Sequence, residues 1–318
     1  MRILHWHVHG SWTTAFVEGP HEYLLPVDAE RGPDGRGRAR TWDWPEHARE
    51  VPVERLRETD FDVVVLQRPE ELALVEEWTG RRPGRDVPAV FVEHNAPHGA
   101  PGVPDSRHPL AERSDILLVH VTAFNELFWD NGRAPTCVVE HGVPDPGHRW
   151  TGEIARAATA INEPVRRGRT VGTDLLPPIA ATSGLDVFGM QVDKLPRWPG
   201  LRVFEDLPQH RMHAELARRR VFVHPARWTS LGLSLIEAMM LGMPVVVLGA
   251  AEAAVSVPPE AGVVTTSRRT LVAATRDLVD DPELAAALGD AARGHALGRW
   301  GVKCFLADWE DVLARVTA

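Results

Sequence analysis

Short apolar runs alternate with polar segments along the first half of the chain. Each run is almost uniformly apolar, and five of them predict strands, at residues 2–8, 62–67, 88–93, 116–121 and 136–140. Uniform rather than alternating apolar character is typical of strands buried on both faces, as in parallel α/β sheets. The intervening segments 69–79 and 122–131 have helical spacing. Alternation of strands and helices predicts a doubly wound sheet.

The same alternation restarts in the second half. It predicts strands at 159–162, 186–190, 221–224 and 262–264 and helices at 174–183 and 209–219. Residues 142–156 are rich in glycine, proline and charge and predict a linker. We therefore expect two Rossmann-like domains, 1–148 and 149–298, followed by a helix within 299–318. Apolar residues at helical spacing mark that last helix: Phe305, Trp309, Val312 and Val316.

The composition limits the class of protein. Of the 318 residues, 44% are hydrophobic and 25% charged, which is the balance of a soluble globular protein. No run of 18 uncharged apolar residues is present, so we expect no transmembrane segment. The first residues, MRILHWHVHGSW, lack the long apolar core of a signal peptide, and we expect a cytoplasmic protein. The net charge of −9 disfavours nucleic acid as a partner.

Nothing in the sequence predicts a metal site. Cys137 and Cys304 have no metal-type spacing. His5, His7 and His9 alternate along the first strand, but no carboxylate or cysteine joins them. The triplet Asp60-Phe-Asp62 precedes a strand, at the wrong end of a parallel sheet for a ligand, and predicts a turn.

The stretch WTSLGLSLIEAMMLGMPVVV, residues 228–247, is the best candidate for a binding site. It follows a predicted strand and begins a helix, so the amides of Ser230, Leu231, Gly232 and Leu233 should face a crevice. Gly232 would let a bulky anion approach, and the helix dipole would favour a phosphate. The alternative is purely structural. Ser234 and Glu237 have the spacing of a capping box, which would explain both residues without a ligand.

This stretch resembles the signature of GT-B glycosyltransferases, specifically the retaining family-four type. The resemblance implies two domains facing across a cleft, with a C-terminal helix crossing back to the first domain. It implies that Glu237 binds the ribose hydroxyls of a nucleotide sugar. It also implies that the loop from Ser230 to Ser234 holds the diphosphate and the transferred sugar. The family's first glutamate, which grips the transferred hexose, is replaced here by Thr229.

The same resemblance suggests further site residues. The family neutralises the leaving diphosphate with an arginine and a lysine, and the matching region INEPVRRGRTVGTDLL offers Arg166 and Arg169 as candidates, or else a solvated basic loop. A histidine after the strand VFVE corresponds to His94, with Asn95 beside it, although a strand-end histidine can also be merely solvated. The family's glycine-containing turn places His9, Gly10 and Ser11 on the acceptor side.

The sequence thus predicts a metal-independent, retaining glycosyltransferase without a cofactor. Its partners would be a nucleotide diphosphate sugar and a small-molecule or glycan acceptor. Two alternatives stay open. One is a nucleotide-sugar epimerase or phosphorylase of the same fold, and the other is a protein that binds nucleotide sugars without turnover, which the missing first glutamate would allow. No GxGxxG motif follows a strand, which disfavours a nicotinamide enzyme.

Overall fold

The computed structural model describes residues 1–40, 42–97 and 105–318. The chain divides into two compact units. The first comprises Met1–Val143 together with Val302–Ala318, and the second comprises Pro144–Gly301.

The first unit is built on a parallel sheet. Within the described residues its strands are β1 Arg2–His5, β2 Glu22–Val27, β3 Ala48–Pro52, β4 Val63–Leu66, β5 Ala89–Glu93, β6 Leu117–His120 and β7 Thr136–Val138, in the order β3-β2-β1-β4-β5-β6-β7. Its helices before residue 143 are α1 Gly10–Phe16, α2 Glu71–Thr79 and α3 Ala123–Phe128. All neighbouring strands pair in parallel, for example Ile3 with Val63. The order of strands reverses direction at β1, as in a doubly wound sheet.

The second unit repeats this plan. Among the described residues its strands are β8 Ile154–Ala160, β9 Leu185–Gly189, β10 Leu201–Glu205, β11 Arg219–His224, β12 Val245–Leu248 and β13 Gly262–Thr265, in the order β10-β9-β8-β11-β12-β13. Its helices are α4 Pro164–Arg167, α5 Leu176–Ser183, α6 Gln209–Ala217, α7 Leu233–Met240, α8 Ala253–Ser256, α9 Arg268–Asp280 and α10 Pro282–Trp300. This is the Rossmann strand order, with its reversal between β8 and β11.

The last helix, α11 Val302–Thr317, completes the core of the first unit. Trp309 is 1% exposed and packs with its ring centroid 5.6 Å from that of Trp12 and 4.9 Å from that of Phe16. Phe305 and Val312 are buried in the same cluster. The apolar stripe predicted from the sequence is therefore the buried face of this helix, except that Val316 is only partly buried.

The structure adds three strands that the sequence pattern did not predict. β3 and β10 are edge strands with exposed residues along them, so neither is a uniform apolar run. β2 lies inside the sheet but contains Pro26, and a proline in a sequence disfavours the prediction of an interior strand. The linker predicted at residues 142–156 also differs from what the structure shows. Residues 144–152 are fastened to the second unit, where the indole of Trp150 donates a hydrogen bond to the Arg219 carbonyl at 2.9 Å.

In the part of the chain that the structure describes, no helix combines the length and the apolar character needed to cross a lipid bilayer.

Candidate functional site

The predicted anion site lies where ligands usually bind in such a sheet. In the second unit the strand order reverses between β8 and β11, and the loops after these two strands meet at the carboxyl edge. The loop after β11 leads into α7, and the hydroxyl of Ser234 lies 3.5 Å from the carbonyl oxygen of Ala160, the last residue of β8. The stretch 228–234 therefore lies at the switch point of this sheet.

The start of α7 has no internal cap. Gly232 is the N-cap residue in an extended conformation, φ −70° and ψ 118°, and no side chain in the described part of the chain caps the first turn. Within the described residues, the amides of Leu231, Gly232 and Leu233 donate no hydrogen bond. Unpaired amides at the positive end of a helix dipole form a favourable site for an anion.

Glu237 lies one turn inside α7 and does not cap it. Its carboxylate is 4% exposed and faces α6, where Gln209 Nε2 donates a hydrogen bond to Oε1 at 2.9 Å. His213 Nε2 lies 3.3 Å from Oε2. The capping-box alternative is wrong, because Ser234 is already helical and neither it nor Glu237 bonds an N-terminal amide. Helix capping therefore does not explain why the Glu237 carboxylate is buried one turn inside α7.

The two candidate arginines are both engaged with carboxylates. Arg166 Nε donates to Glu163 at 2.8 Å, and Arg169 Nη1 donates to Asp174 at 2.8 Å. Their side chains are 68% and 75% exposed. Exposed ion pairs contribute only about 0–1 kcal/mol, so a diphosphate could compete for either arginine.

Arg167 is a third cation that the sequence did not single out. It is half-buried at the end of α4, and its side chain makes no ion pair or hydrogen bond within the described residues. Burial, and then the charge of Arg166, lower the pKa of Arg167. A partly desolvated, unpaired guanidinium is well suited to an anionic ligand.

A brace fastens the segment after α4 to the loop before α7. The Arg227 guanidinium donates to both carboxylate oxygens of Asp174, at 2.6 and 3.0 Å. The amides of Arg227 and Trp228 donate to the carbonyl of Thr170, at 2.8 and 3.2 Å. Burial acts to raise the pKa of Asp174, but the hydrogen bond and charge of Arg227, with Arg169, leave it lowered. The sequence did not reveal this brace, because its partners are far apart along the chain.

In the first unit, polar side chains gather after β1 and β4, at the switch point of that sheet. His94 Nε2 lies 3.0 Å from Oε1 of Gln67, whose amide nitrogen donates to the carbonyl of Trp6 at 2.7 Å. That second bond fixes the orientation of the Gln67 amide, so a neutral His94 carries its proton on Nε2. The ring of His9 is 4.1 Å from that of His94.

This histidine cluster is electrically neutral. Burial, followed by the proximity of His9 and His141, places the pKa of His94 well below its ordinary value. Burial also lowers the pKa of His9, against the opposing charge of Glu93, and lowers that of His141 to about 4. Neutral imidazoles can orient hydroxyl groups as donors or acceptors.

The other predicted residues of the first unit are nearby. His9 is the N-cap residue of α1, which begins with Gly10 and Ser11. A Cβ on Gly10 would lie 2.4 Å from the ring of Trp42, so only glycine fits under that indole. Asn95 is exposed, and its backbone N–H donates a hydrogen bond to Oε1 of Glu93 at 2.6 Å.

Within the described residues, no group of three or more His, Cys, Asp or Glu side chains could hold a metal ion. Asp62 accepts a hydrogen bond from the Arg2 amide at 2.7 Å immediately before β4. The Asp60-Phe-Asp62 triplet thus lies immediately before a strand, as the sequence predicted.

Comparison with known proteins agrees with this geometry. Residues 187–295 match the glycosyl transferases group 1 family, a range that contains α7 and its loop. No curated protein matches the chain by sequence. The fold is similar to that of sucrose-phosphate synthase from Thermosynechococcus elongatus, with a TM-score of 0.72, 12% identity and coverage of 99% of this chain and 98% of that one.

Two further solved structures resemble the chain. HepE from Anabaena, in complex with UDP and glucose, has a TM-score of 0.70, 14% identity and coverage of 99% and 100%. TarM of S. aureus, in complex with Fondaparinux, alpha-GlcNAc-glycerol and UDP, has a TM-score of 0.64, 16% identity and coverage of 82% of this chain and 58% of that one. The chain has the GT-B fold of two Rossmann-like α/β domains. The match to the glycosyl transferases group 1 family lies within the second unit, and it identifies the protein as a glycosyltransferase.

Proposed function

We propose that the protein transfers a sugar from a nucleotide diphosphate sugar to an acceptor hydroxyl. The observation that carries this proposal is the uncapped start of α7, with Glu237 buried one turn behind it. The amides suit the diphosphate, and the carboxylate suits the vicinal hydroxyls of a ribose. In the reaction, the bond between the anomeric carbon and the diphosphate breaks. The acceptor oxygen bonds to that carbon, and its proton passes to the departing diphosphate or to solvent.

The main chemical task is to stabilise the departing diphosphate. We assign it to the amides of Leu231, Gly232 and Leu233 and to Arg167, with Arg166 and Arg169 able to leave their carboxylates. Charge neutralised in this way requires no metal ion, and we propose that none takes part. Thr229 would bind a hydroxyl of the transferred sugar.

His94 would orient a hydroxyl of the donor sugar or of the acceptor, with His9, Gly10, Ser11 and Asn95 on the acceptor side. The neutral imidazole of His94 supports this role, because a neutral ring can exchange hydrogen bonds with hydroxyl groups. Retention of anomeric configuration is proposed from the family resemblance alone.

Uridine is the first nucleoside to test, because the HepE and TarM structures contain UDP. Thermal-shift measurements with UDP-, GDP-, ADP- and TDP-sugars will identify the donor, since a ligand at 100 times its Kd stabilises the native state by about 2.7 kcal/mol. We expect Glu237→Ala to reduce the shift strongly, because the ribose contact is lost while the diphosphate contacts remain. Glu260→Ala, at an exposed glutamate of the same unit, is the control and should keep it. A full shift in Glu237→Ala would contradict the ribose assignment.

Thr229 supports a second candidate function, binding of a nucleotide sugar without turnover. A threonine hydroxyl carries no charge and grips a hexose more weakly than a carboxylate does. Product analysis with a broad panel of acceptors separates the possibilities. Transfer supports the glycosyltransferase, a changed nucleotide sugar without acceptor supports an epimerase, and binding without any product supports the second candidate.

A further inference from the structure

Two side chains of α6 face the buried carboxylate of Glu237. Gln209 and His213 are four residues apart, so they lie on the same face of the helix, one turn from each other. Gln209 Nε2 donates to Oε1 at 2.9 Å, and His213 Nε2 lies 3.3 Å from Oε2. Each carboxylate oxygen of Glu237 thus has its own neighbour on α6.

The second contact is incomplete. His213 is 7% exposed, and its Nε2 makes no hydrogen bond of normal geometry within the described residues. A buried polar nitrogen without a partner is costly, and a carboxylate that is 4% exposed needs several donors. Among the described residues, both groups are therefore short of hydrogen-bond partners.

A carboxylate offers about four acceptor positions. The Gln209 amide occupies one on Oε1, and the imidazole faces another on Oε2. One position on each oxygen remains, which is the number that the two hydroxyls of a ribose would fill. The arrangement matches a vicinal diol better than a single hydroxyl.

We propose that Gln209 and His213 are positioning residues that set the orientation of Glu237 and thereby the preference of the site for ribose over 2′-deoxyribose. This inference rests on the proposed function, because it assumes that Glu237 binds the ribose. Gln209 holds the carboxylate plane, and His213 completes its hydrogen bond when the diol draws Oε2 into line. Neither residue needs to touch the sugar.

The test measures binding of UDP, GDP and ADP, and of their 2′-deoxy counterparts, by titration calorimetry with the full chain. A hydrogen bond to a charged group typically changes affinity by about tenfold or more, so we expect that preference of the wild type for the ribonucleotide. Gln209→Leu should reduce the preference to about twofold or less, as Glu237→Ala does. His213→Leu should reduce the preference to the same extent. His213→Gln keeps a hydrogen-bond donor, so it should retain most of the preference of the wild type.

His210→Asn is the matched control, since His210 is exposed on the same helix. It should keep the preference of the wild type. Gln209 lies at the partly exposed start of α6, so its variant reports even if the buried His213 variants fail to fold.

The outcomes separate this inference from the function on which it rests. A preference lost in Glu237→Ala but unchanged in Gln209→Leu overturns the role of α6 and leaves the nucleotide site intact. If no diphosphate binds to the wild type, the proposed function fails, and this inference fails with it. Loss of the preference in Gln209→Leu, with His210→Asn unchanged, supports the assignment.

Discussion

Gly232 and His224 are packed so closely that no side chain fits between them. A Cβ on Gly232 would lie 2.7 Å from Cε1 of the His224 ring. His224 ends β11, is 6% exposed, and has its pKa lowered by burial to about 4, so the ring is neutral. The backbone of Gly232 has φ −70°, so the need for glycine here is a matter of space and not of backbone conformation. A buried, neutral ring thus lies directly against the backbone at the centre of the proposed anion site.

Gly232→Ala should weaken binding of the nucleotide diphosphate more than it weakens the fold. The new methyl group must push the imidazole or the loop aside, at a cost of about 1–3 kcal/mol. Titration calorimetry measures the binding, and thermal unfolding measures the stability. Gly294→Ala is the control, because nothing lies within 4 Å of a Cβ at that helical position. Wild-type affinity in Gly232→Ala would show that the loop does not contact the ligand.

Arg167→Ala should reduce the affinity for the diphosphate about tenfold, because it removes a partly desolvated cation that has no carboxylate partner in the described residues. Arg169→Ala should cost about twofold or less, since Arg169 is exposed and already paired with Asp174. Affinity measured at two salt concentrations provides the comparison. A larger loss in Arg169→Ala would reverse this assignment.

The stability of the protein should fall as the pH falls below about 6.5, in part because of His5. Burial lowers the pKa of His5 to about 3. Both ring nitrogens are buried, with Phe16 and Tyr23 against the ring, and neither makes a hydrogen bond of normal geometry to the residues that the structure describes. Between about pH 3 and 6.5 the unfolded chain binds a proton at this residue that the folded chain does not bind. Acid therefore favours unfolding, by up to about 1.4 kcal/mol per pH unit.

His5→Leu tests this linkage by denaturant unfolding at several pH values. The slope of the unfolding free energy against pH should decrease in the acid range by about 1 kcal/mol per pH unit. At pH 7 the variant should be at least as stable as the wild type, because a buried polar ring without partners has been removed. A slope equal to that of the wild type would mean that His5 binds a proton as readily in the folded state as in the unfolded state.

Trp309→Ala should destabilise the first unit by about 3–5 kcal/mol, because it opens a cavity next to Trp12 and Phe16. Calorimetry resolves the effect if the transition of the second unit is identified by its shift with nucleotide. Asp311→Ala, at an exposed position of α11, is the control and should change little. An equal loss of stability in Trp309→Ala and Asp311→Ala would contradict the assignment, because it would show that the buried indole contributes no more than an exposed side chain of α11.

The sequence predicted the elements whose signal is local. β4 is the run VVVL, wholly buried, and such a run is recognisable without a structure. The edge strands β3 and β10 lack that signal, because half of their surface faces solvent. The sequence also predicted the turn before α7, because Leu231-Gly232 lies between an apolar strand and the start of an apolar helix.

Contacts between distant residues could not be predicted in the same way. The three arginines Arg166, Arg167 and Arg169 look alike in a sequence, and only the fold shows which of them is already paired. Ser234 and Glu237 have the spacing of a capping box, but they do not form one. The Glu237 side chain instead accepts a hydrogen bond from Gln209, 28 residues away along the chain. Choices among equivalent partners depend on tertiary distances, which local patterns do not contain.

The first unit is discontinuous, and this has a consequence for biosynthesis. Val302–Ala318 belongs to its core but is translated after the whole of Pro144–Gly301. On the ribosome, the second unit has its full complement of strands while Trp12 and Phe16 still lack the helix that covers them. The half of the protein that is made first is therefore the half that finishes folding last.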